Sequence, residues 1–238
     1  MKKITYKLSN LFTLKKYNDN NLNCTSYNYP TLYGLRCAII GAIIQTEGIK
    51  KAEELFNKVK NTNIYVQYPK NTKINGIKQK RYANVYYNPT YDKNKYDNMN
   101  TYTRSKTYYY LDKEGLEQSN YKTTMGFREY IKMDEIVFYI DNLIPNIDMY
   151  LKNIDWLGTA ESMVYLDKIE DINNLENIMV EWDNEEHCST YKQHDWSSKV
   201  KFENIYMYSS KYKHIHNDKL MCVKDIHLDE SIKIDEEC

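Results

Sequence analysis

Basic residues interleave with tyrosine in two stretches near the middle of the chain: Lys73, Lys78, Lys80, Arg81 and Tyr82, then Arg104, Lys106 and Tyr108. Ammonium and guanidinium groups neutralise phosphate, and a tyrosine ring stacks on an unpaired base. Carried on two antiparallel strands, these residues would share a face and suit a ribbon lying over a single nucleic-acid strand. A lysine-studded edge that protects a solvated hairpin from aggregation is the structural alternative. Lys15, Lys16 and Tyr27 flank the first strand–helix junction, where loop cations meet phosphate and a ring meets a splayed base. Plain surface charge is the alternative for the two lysines. Arg128 follows Gly126-Phe127; its fork fits a phosphate bidentately, or pairs with Glu129.

Breaking RNA without a metal requires a base for the 2′-OH and an acid for the leaving 5′-oxygen. The five histidines, 187, 194, 214, 216 and 227, all lie in the C-terminal part, and Lys213-His214 is a Lys–His pair by type. No catalytic residue is assigned on this pattern. His187, Cys188 and His194 invite a zinc reading, but neighbouring side chains diverge and no second cysteine pair is near, so no metal ligand is assigned either. His214 and His216 alternate as strand neighbours do.

These residues need a frame. Ile4, Tyr6 and Leu8 alternate with polar residues, which reads as a half-buried strand. Pro30 favours a helix start, and Tyr33–Thr46 is apolar enough for a buried helix, interrupted by Gly48. The loop before it, with Ser26 and Tyr27, is expected to present polar and aromatic groups. Ile49, Ala52, Leu55, Phe56 and Val59 recur at helical spacing. Ile64–Val66 starts a second strand. Residues 71–120 are polar, rich in Lys, Asn and Tyr, and read as a long inserted hairpin with arms Lys80–Tyr87 and Thr103–Leu111. Then come extended Lys122–Lys132, strand Glu135–Ile140, a helix marked by Ile144, Ile147, Leu151 and Ile154, and a strand at Ser162–Leu166. The order is strand, helix, strand, insertion, strand, helix, strand: an α+β fold with a ferredoxin-like βαββαβ core, as in RNA recognition motifs. The expected domains are 1–170, carrying the insertion, and a small β-rich C-terminal extension at 171–238, with strands at Val200–Tyr208 and Leu220–Leu228.

The 33 basic and 33 acidic residues cancel, which excludes a uniformly basic nucleic-acid binder but not a basic stripe. The 25 tyrosines fit an RNA surface, and equally a genome rich in A and T. Five cysteines without a CxxC pattern argue against a disulfide framework and for a reducing cytoplasm. The charged start MKKITYKLSN lacks an apolar signal region, and no run nears the roughly 18 apolar residues of a membrane span.

Four places resemble the fifth family of CRISPR-associated (Cas) proteins. They are the opening strand with Phe12-Thr13-Leu14-Lys15-Lys16; Ser26-Tyr27, Pro30-Thr31, Gly34 and Ala38-Ile39-Ile40-Gly41; Met125–Tyr130; and Trp156-Leu157-Gly158 with Glu161-Ser162. An Arg often stands in the family where Lys15 or Lys16 does. The resemblance covers roughly residues 1–170 and is nearest to type I-B members. It implies a RAMP subunit of a type I Cascade complex in antiviral defence, without a cofactor. Such a subunit binds the 5′ handle of the guide RNA (crRNA) and touches the backbone subunit through the hairpin, the family's thumb. It supports the large subunit, and so meets target DNA only indirectly. Handle binding would then fall to Lys15, Lys16, Tyr27 and Arg128. The thumb contacts would fall to Lys78, Lys80, Arg81, Tyr82, Arg104 and Lys106. Two other classes stay open: a metal-independent endoribonuclease processing precursor RNA, as in type I-C members, and a protein-interaction module.

Overall fold

In a computed structural model, the described residues are 1–16, 23–69, 72–84, 101–104, 107–111, 117–119, 121–159, 162–182, 188–206, 208–213 and 215–227. Within these, the side chains of 23, 75–84, 101–126 and 227 are not described. The strands are β1 (Lys2–Leu8), β2 (Asn23–Cys24), β3 (Ile64–Val66), β4 (Lys73–Asn84), β5 (Thr101–Arg104), β6 (Thr107–Leu111), β7 (Glu117–Ser119), β8 (Tyr121–Lys132), β9 (Glu135–Ile140), β10 (Val164–Asp171), β11 (Asn174–Glu181), β12 (Tyr191–Trp196) and β13 (His216–His227). The helices are α1 (Leu32–Glu47), α2 (Ile49–Asn61), α3 (Ile147–Leu151) and α4 (Phe202–Ile205). The chain forms two compact units. One comprises Met1–Tyr17, Thr25–Asn75 and Glu129–Cys238; the other, Asn18–Cys24 and Gly76–Arg128.

The larger unit is built on a four-stranded sheet in the order β10-β1-β9-β3, with every neighbouring pair antiparallel. β1 connects to β3 through α1 and α2, and β9 to β10 through α3. Two β–α–β segments thus interdigitate their strands, giving a mixed α+β architecture. Ile4 and Tyr6 of β1 are fully buried, but Thr5 between them is buried too and Leu8 only partly, so the expected alternation holds for two of its three apolar positions. Tyr6 stacks on Phe138 and donates its hydroxyl to the Leu151 carbonyl at 2.5 Å. A buried tyrosine needs that acceptor, because an unpaired hydroxyl there would be costly.

Thr31 caps α1 by accepting from the Gly34 N–H at 3.1 Å. Leu35, Ile39, Ile40 and Ile43 bury one broad side of the helix. Gly48 ends it with φ of +88° and starts α2 at the next residue, a conformation that residues with a Cβ rarely adopt. α2 buries the stripe Ala52, Leu55, Phe56 and Val59, as the spacing requires.

The C-terminal residues form a three-stranded antiparallel sheet, β11-β13-β12. They were expected to be a separate extension, yet they belong to the same unit. Met179, Trp196, Val200 and Met221 join one buried cluster with Ile4, Leu35 and Phe56. Val137 and Tyr139 of β9 pack with Leu175 and Ile178 of β11. Three local readings also change. Phe202–Ile205 is a helical turn where a strand was expected, begun by the Asn204 side chain accepting from the Lys201 N–H at 2.9 Å. The helix expected from Ile144 to Ile154 is regular only over Ile147–Leu151. β11 and β12 were not foreseen.

In the smaller unit the sheet order is β2-β8-β4, and β5-β6-β7 form a second sheet. The two arms expected to pair with each other therefore have other neighbours. β4 lies beside β8, and β5 pairs with β6 from Thr101↔Tyr110 to Arg104↔Thr107. β5 and β6 are neighbours in sequence, so their pairing carries a lower loop-entropy cost than one between distant segments.

Candidate nucleic-acid interface

The segment carrying Lys15 and Lys16 is held by side chains that are distant in sequence. Ser162 accepts from the Thr13 N–H at 2.9 Å and donates to the Thr13 carbonyl at 3.1 Å. Gly158, at φ +116°, lets this happen: a Cβ there would stand 2.9 Å from the Thr13 oxygen. On the other side, Thr13 donates its hydroxyl to the Glu129 carbonyl at 3.0 Å, and Ser26 accepts from the Leu14 N–H at 2.9 Å. The Glu129 carboxylate accepts from the Ser26 N–H at 2.9 Å. Main-chain bonds Lys16 N–H to Thr25 O (3.1 Å) and Tyr27 N–H to Leu14 O (2.9 Å) complete a short ladder. Lys15 is half-buried and Lys16 exposed on this fixed backbone. A backbone already fixed lowers the ordering cost of a contact made from it.

A cleft of about 430 Å³ is lined by Lys3, Lys7, Asn28, Tyr29, Tyr68 and Glu135, among others. Lys7 pairs with Glu135 at 2.8 Å, and that hydrogen bond and charge push its ammonium pKa up. Asn28 donates to the Tyr68 hydroxyl at 3.0 Å, and Tyr29 donates to the Lys192 carbonyl at 2.7 Å. Burial, then the neighbouring Tyr27, Tyr68 and Tyr191, raise the Tyr29 pKa. The Tyr68 and Tyr191 rings lie 4.5 Å apart, and the bond to Tyr68 raises Tyr191. The lining offers hydroxyls and aromatic faces beside two lysines, Lys3 and Lys7, and two carboxylates, Asp134 and Glu135, a set able to meet a base edge or a sugar hydroxyl.

Tyr27 is not part of an exposed loop surface. It is 6% exposed, its ring packs on Tyr29 and His194, and its hydroxyl hydrogen-bonds His194 Nε2. Ser26 is buried too. The expectation of Tyr27 as a base-stacking ring is corrected accordingly: the core takes the ring. His194 Nδ1 in turn meets Asp218 Oδ1 at 2.6 Å, with His216 Nε2 3.5 Å from the same oxygen. Sequence reading missed this set because its members come from three separate segments. The same is true of buried Arg36, which bridges α1 to Asp195 of β12 at 2.7 and 3.3 Å.

Arg128 sits in β8 and is half-buried, with Cys24 opposite in parallel register. Lys78, Lys80, Arg81 and Tyr82 fall in β4 and Arg104 ends β5; their side chains, and Lys106 altogether, lie outside the described residues. No helix among the described residues is long and apolar enough to cross a membrane.

No family model matches the chain. A CRISPR-associated protein Cas5 from Archaeoglobus fulgidus is 24% identical over 223 residues, covering 88% of this chain and 85% of that protein. The chain is a homologue of that Cas5 protein. A crystal structure of a CRISPR protein from Archaeoglobus fulgidus matches with a TM-score of 0.45 at 10% identity, over 94% of this chain and 85% of that one. The similarity to Cas5 runs well past residue 170, into the part where the sequence motifs carried no family signal.

Proposed function

We infer that this Cas5 homologue is a non-catalytic RNA-binding subunit of a type I Cascade complex, holding the 5′ handle of the guide RNA. The observation that carries the reading is the similarity to Cas5 across 223 residues. The strand order β10-β1-β9-β3 supports a ferredoxin-like RAMP core, since two split βαβ halves produce that order. Lys15 and Lys16 on their clamped ladder, with the tyrosine-walled cleft, are the handle contacts in this reading. Arg128 is a further phosphate contact. Lys78, Lys80, Arg81, Tyr82, Arg104 and Lys106 are the thumb's contacts with RNA or the backbone subunit. Binding without cleavage is favoured because the Tyr27–His194 pair is buried, at 6% and 8% exposure. It offers no acid or base to a strand on the surface.

Filter binding with a repeat-derived handle RNA tests the assignment. Binding should weaken on Lys15→Glu/Lys16→Glu, and the salt slope should fall by about 2 as two phosphate contacts go. An unchanged slope would remove these lysines from the interface. Handle cleavage in EDTA by the parent protein would favour the endoribonuclease instead. Absence of RNA binding, alone and with the backbone subunit, would leave a protein-interaction module.

A further inference from the structure

The cluster of His194, His216 and Asp218 makes no RNA contact in that reading. Its ligand atoms are close enough together to hold a metal ion. β12 and β13 are antiparallel, with His194 opposite Asp218 and Trp196 opposite His216. His216 and Asp218 are two apart on one strand, so they point to the same face as their cross-strand neighbour. One ligand atom from each of the three residues lies within 4.8 Å of the other two. Two of the separations are 2.6 and 3.5 Å. A tetrahedral zinc ion with bonds near ~2.0–2.1 Å holds its ligand atoms about 3.3–3.4 Å apart. The observed separations bracket that value, so a small adjustment of three side chains closes the set.

The surroundings match what a bound ion requires. The His194 and His216 rings are nearly perpendicular, at 88°, with centroids 5.1 Å apart, and do not stack. The second ring nitrogen of His194 is held by the Tyr27 hydroxyl. An outer partner of this kind fixes tautomer and orientation in metal-ligating histidines. His194 and His216 are largely buried, at 10% and 15% side-chain exposure, while Asp218 is 53% exposed. An ion could thus enter from the Asp218 side and keep a water as its fourth ligand.

We propose that His194, His216 and Asp218 bind one divalent transition-metal ion, zinc foremost, through His194 Nδ1, His216 Nε2 and an Asp218 oxygen. Two imidazoles and one carboxylate suit zinc, with cobalt(II) as a spectroscopic substitute. The ion would staple β12 to β13 and, through Tyr27, to the segment leading into α1.

The test uses the full chain, stripped with chelator and titrated with zinc chloride, with bound metal counted after gel filtration. One equivalent is expected. Cobalt(II) should give visible bands of tetrahedral intensity without a near-ultraviolet thiolate band, which separates this site from any of the cysteines. His216→Asn and Asp218→Asn should each lower affinity by more than about 10-fold, the lower end of what loss of an outer-shell partner costs. Tyr27→Phe should lower it by roughly 10-fold while the cobalt spectrum keeps its shape. Zinc should raise the unfolding midpoint of the parent and of neither ligand variant. Because Asp218 is half-exposed, Asp218→Asn keeps the fold and guards against a result caused by misfolding. Equal binding by parent and Asp218→Asn, a thiolate band, or no bound metal would overturn the site.

Discussion

Arg36→Met isolates the contact that fastens the C-terminal sheet to the helices. The Arg36 guanidinium makes two bonds to Asp195, and donates to the carbonyls of Val59 at 2.5 Å and Thr62 at 3.0 Å. Both side chains are nearly out of water, at 8% and 11% exposure. Methionine fills a similar volume but leaves Asp195 as a buried carboxylate that still accepts from the Trp196 N–H, at 2.7 Å. Removing one partner of a buried ion pair costs about 3–5 kcal/mol, because an uncompensated charge stays behind. Domains of this size carry about 5–15 kcal/mol in total. Each kcal/mol moves the midpoint by about 2–4 °C, so the melting temperature should drop by roughly 6–20 °C. Circular dichroism melts and urea titrations read both quantities. Asp195→Leu should be comparably harmful, and the double variant should recover much of the loss, since no lone charge remains. A single variant within about 1 kcal/mol of the parent, or a double variant whose losses simply add, would refute the reasoning.

Truncation after residue 170 should yield a chain without a cooperative melt, because it strips Met179, Trp196 and Met221 from the shared core; a folded fragment on gel filtration would contradict this. Ser162→Ala should cost about 1–3 kcal/mol in urea titration, as Thr13 loses a buried acceptor and a donor. Gly158→Ala should destabilise by more than about 1 kcal/mol, since its Cβ meets a backbone oxygen at 2.9 Å and φ is +116°; full stability would show that the turn relaxes. Burial pushes the Cys37 thiol up to about 12. Only on the order of one molecule in ten thousand is then thiolate at pH 8, and native Cys37 should resist iodoacetamide until the protein is unfolded. Charge reversal at Arg81 and Arg104 together should lower guide retention in the reconstituted complex; an intact, loaded complex would count against the thumb role.

The parts readable from sequence are those where one strong pattern met one environment. Ile4 and Tyr6 stand out in β1 because the core claims both side chains. α2 announces itself through Ala52, Leu55, Phe56 and Val59, and Gly48 marks the joint. β12, by contrast, reads Tyr-Lys-Gln-His-Asp-Trp and carries no apolar alternation, yet Gln193, His194 and Asp195 are all buried. Each is made tolerable by a distant partner: the Leu32 N–H for Gln193, Tyr27 for His194 and Arg36 for Asp195. Such pairs lie more than a hundred residues apart, and a local window contains no trace of them. Tyr27 was misread for the same reason, since its ring is claimed by His194 and Tyr29. Lys15 and Lys16 were visible as charges, but their clamp by Ser26, Glu129 and Ser162 was not.

The sheet order carries a consequence for synthesis. β1 leaves the ribosome well before both of its neighbours, β9 and β10, which are encoded more than a hundred residues later. At ~5–20 residues per second, its two edges stay unsatisfied for on the order of ten seconds. During that interval Ile4 and Tyr6 sit on a nascent segment with open main-chain groups on both sides, the condition that favours pairing with another chain. Yield in the cell should therefore depend on how well that first strand is shielded during translation.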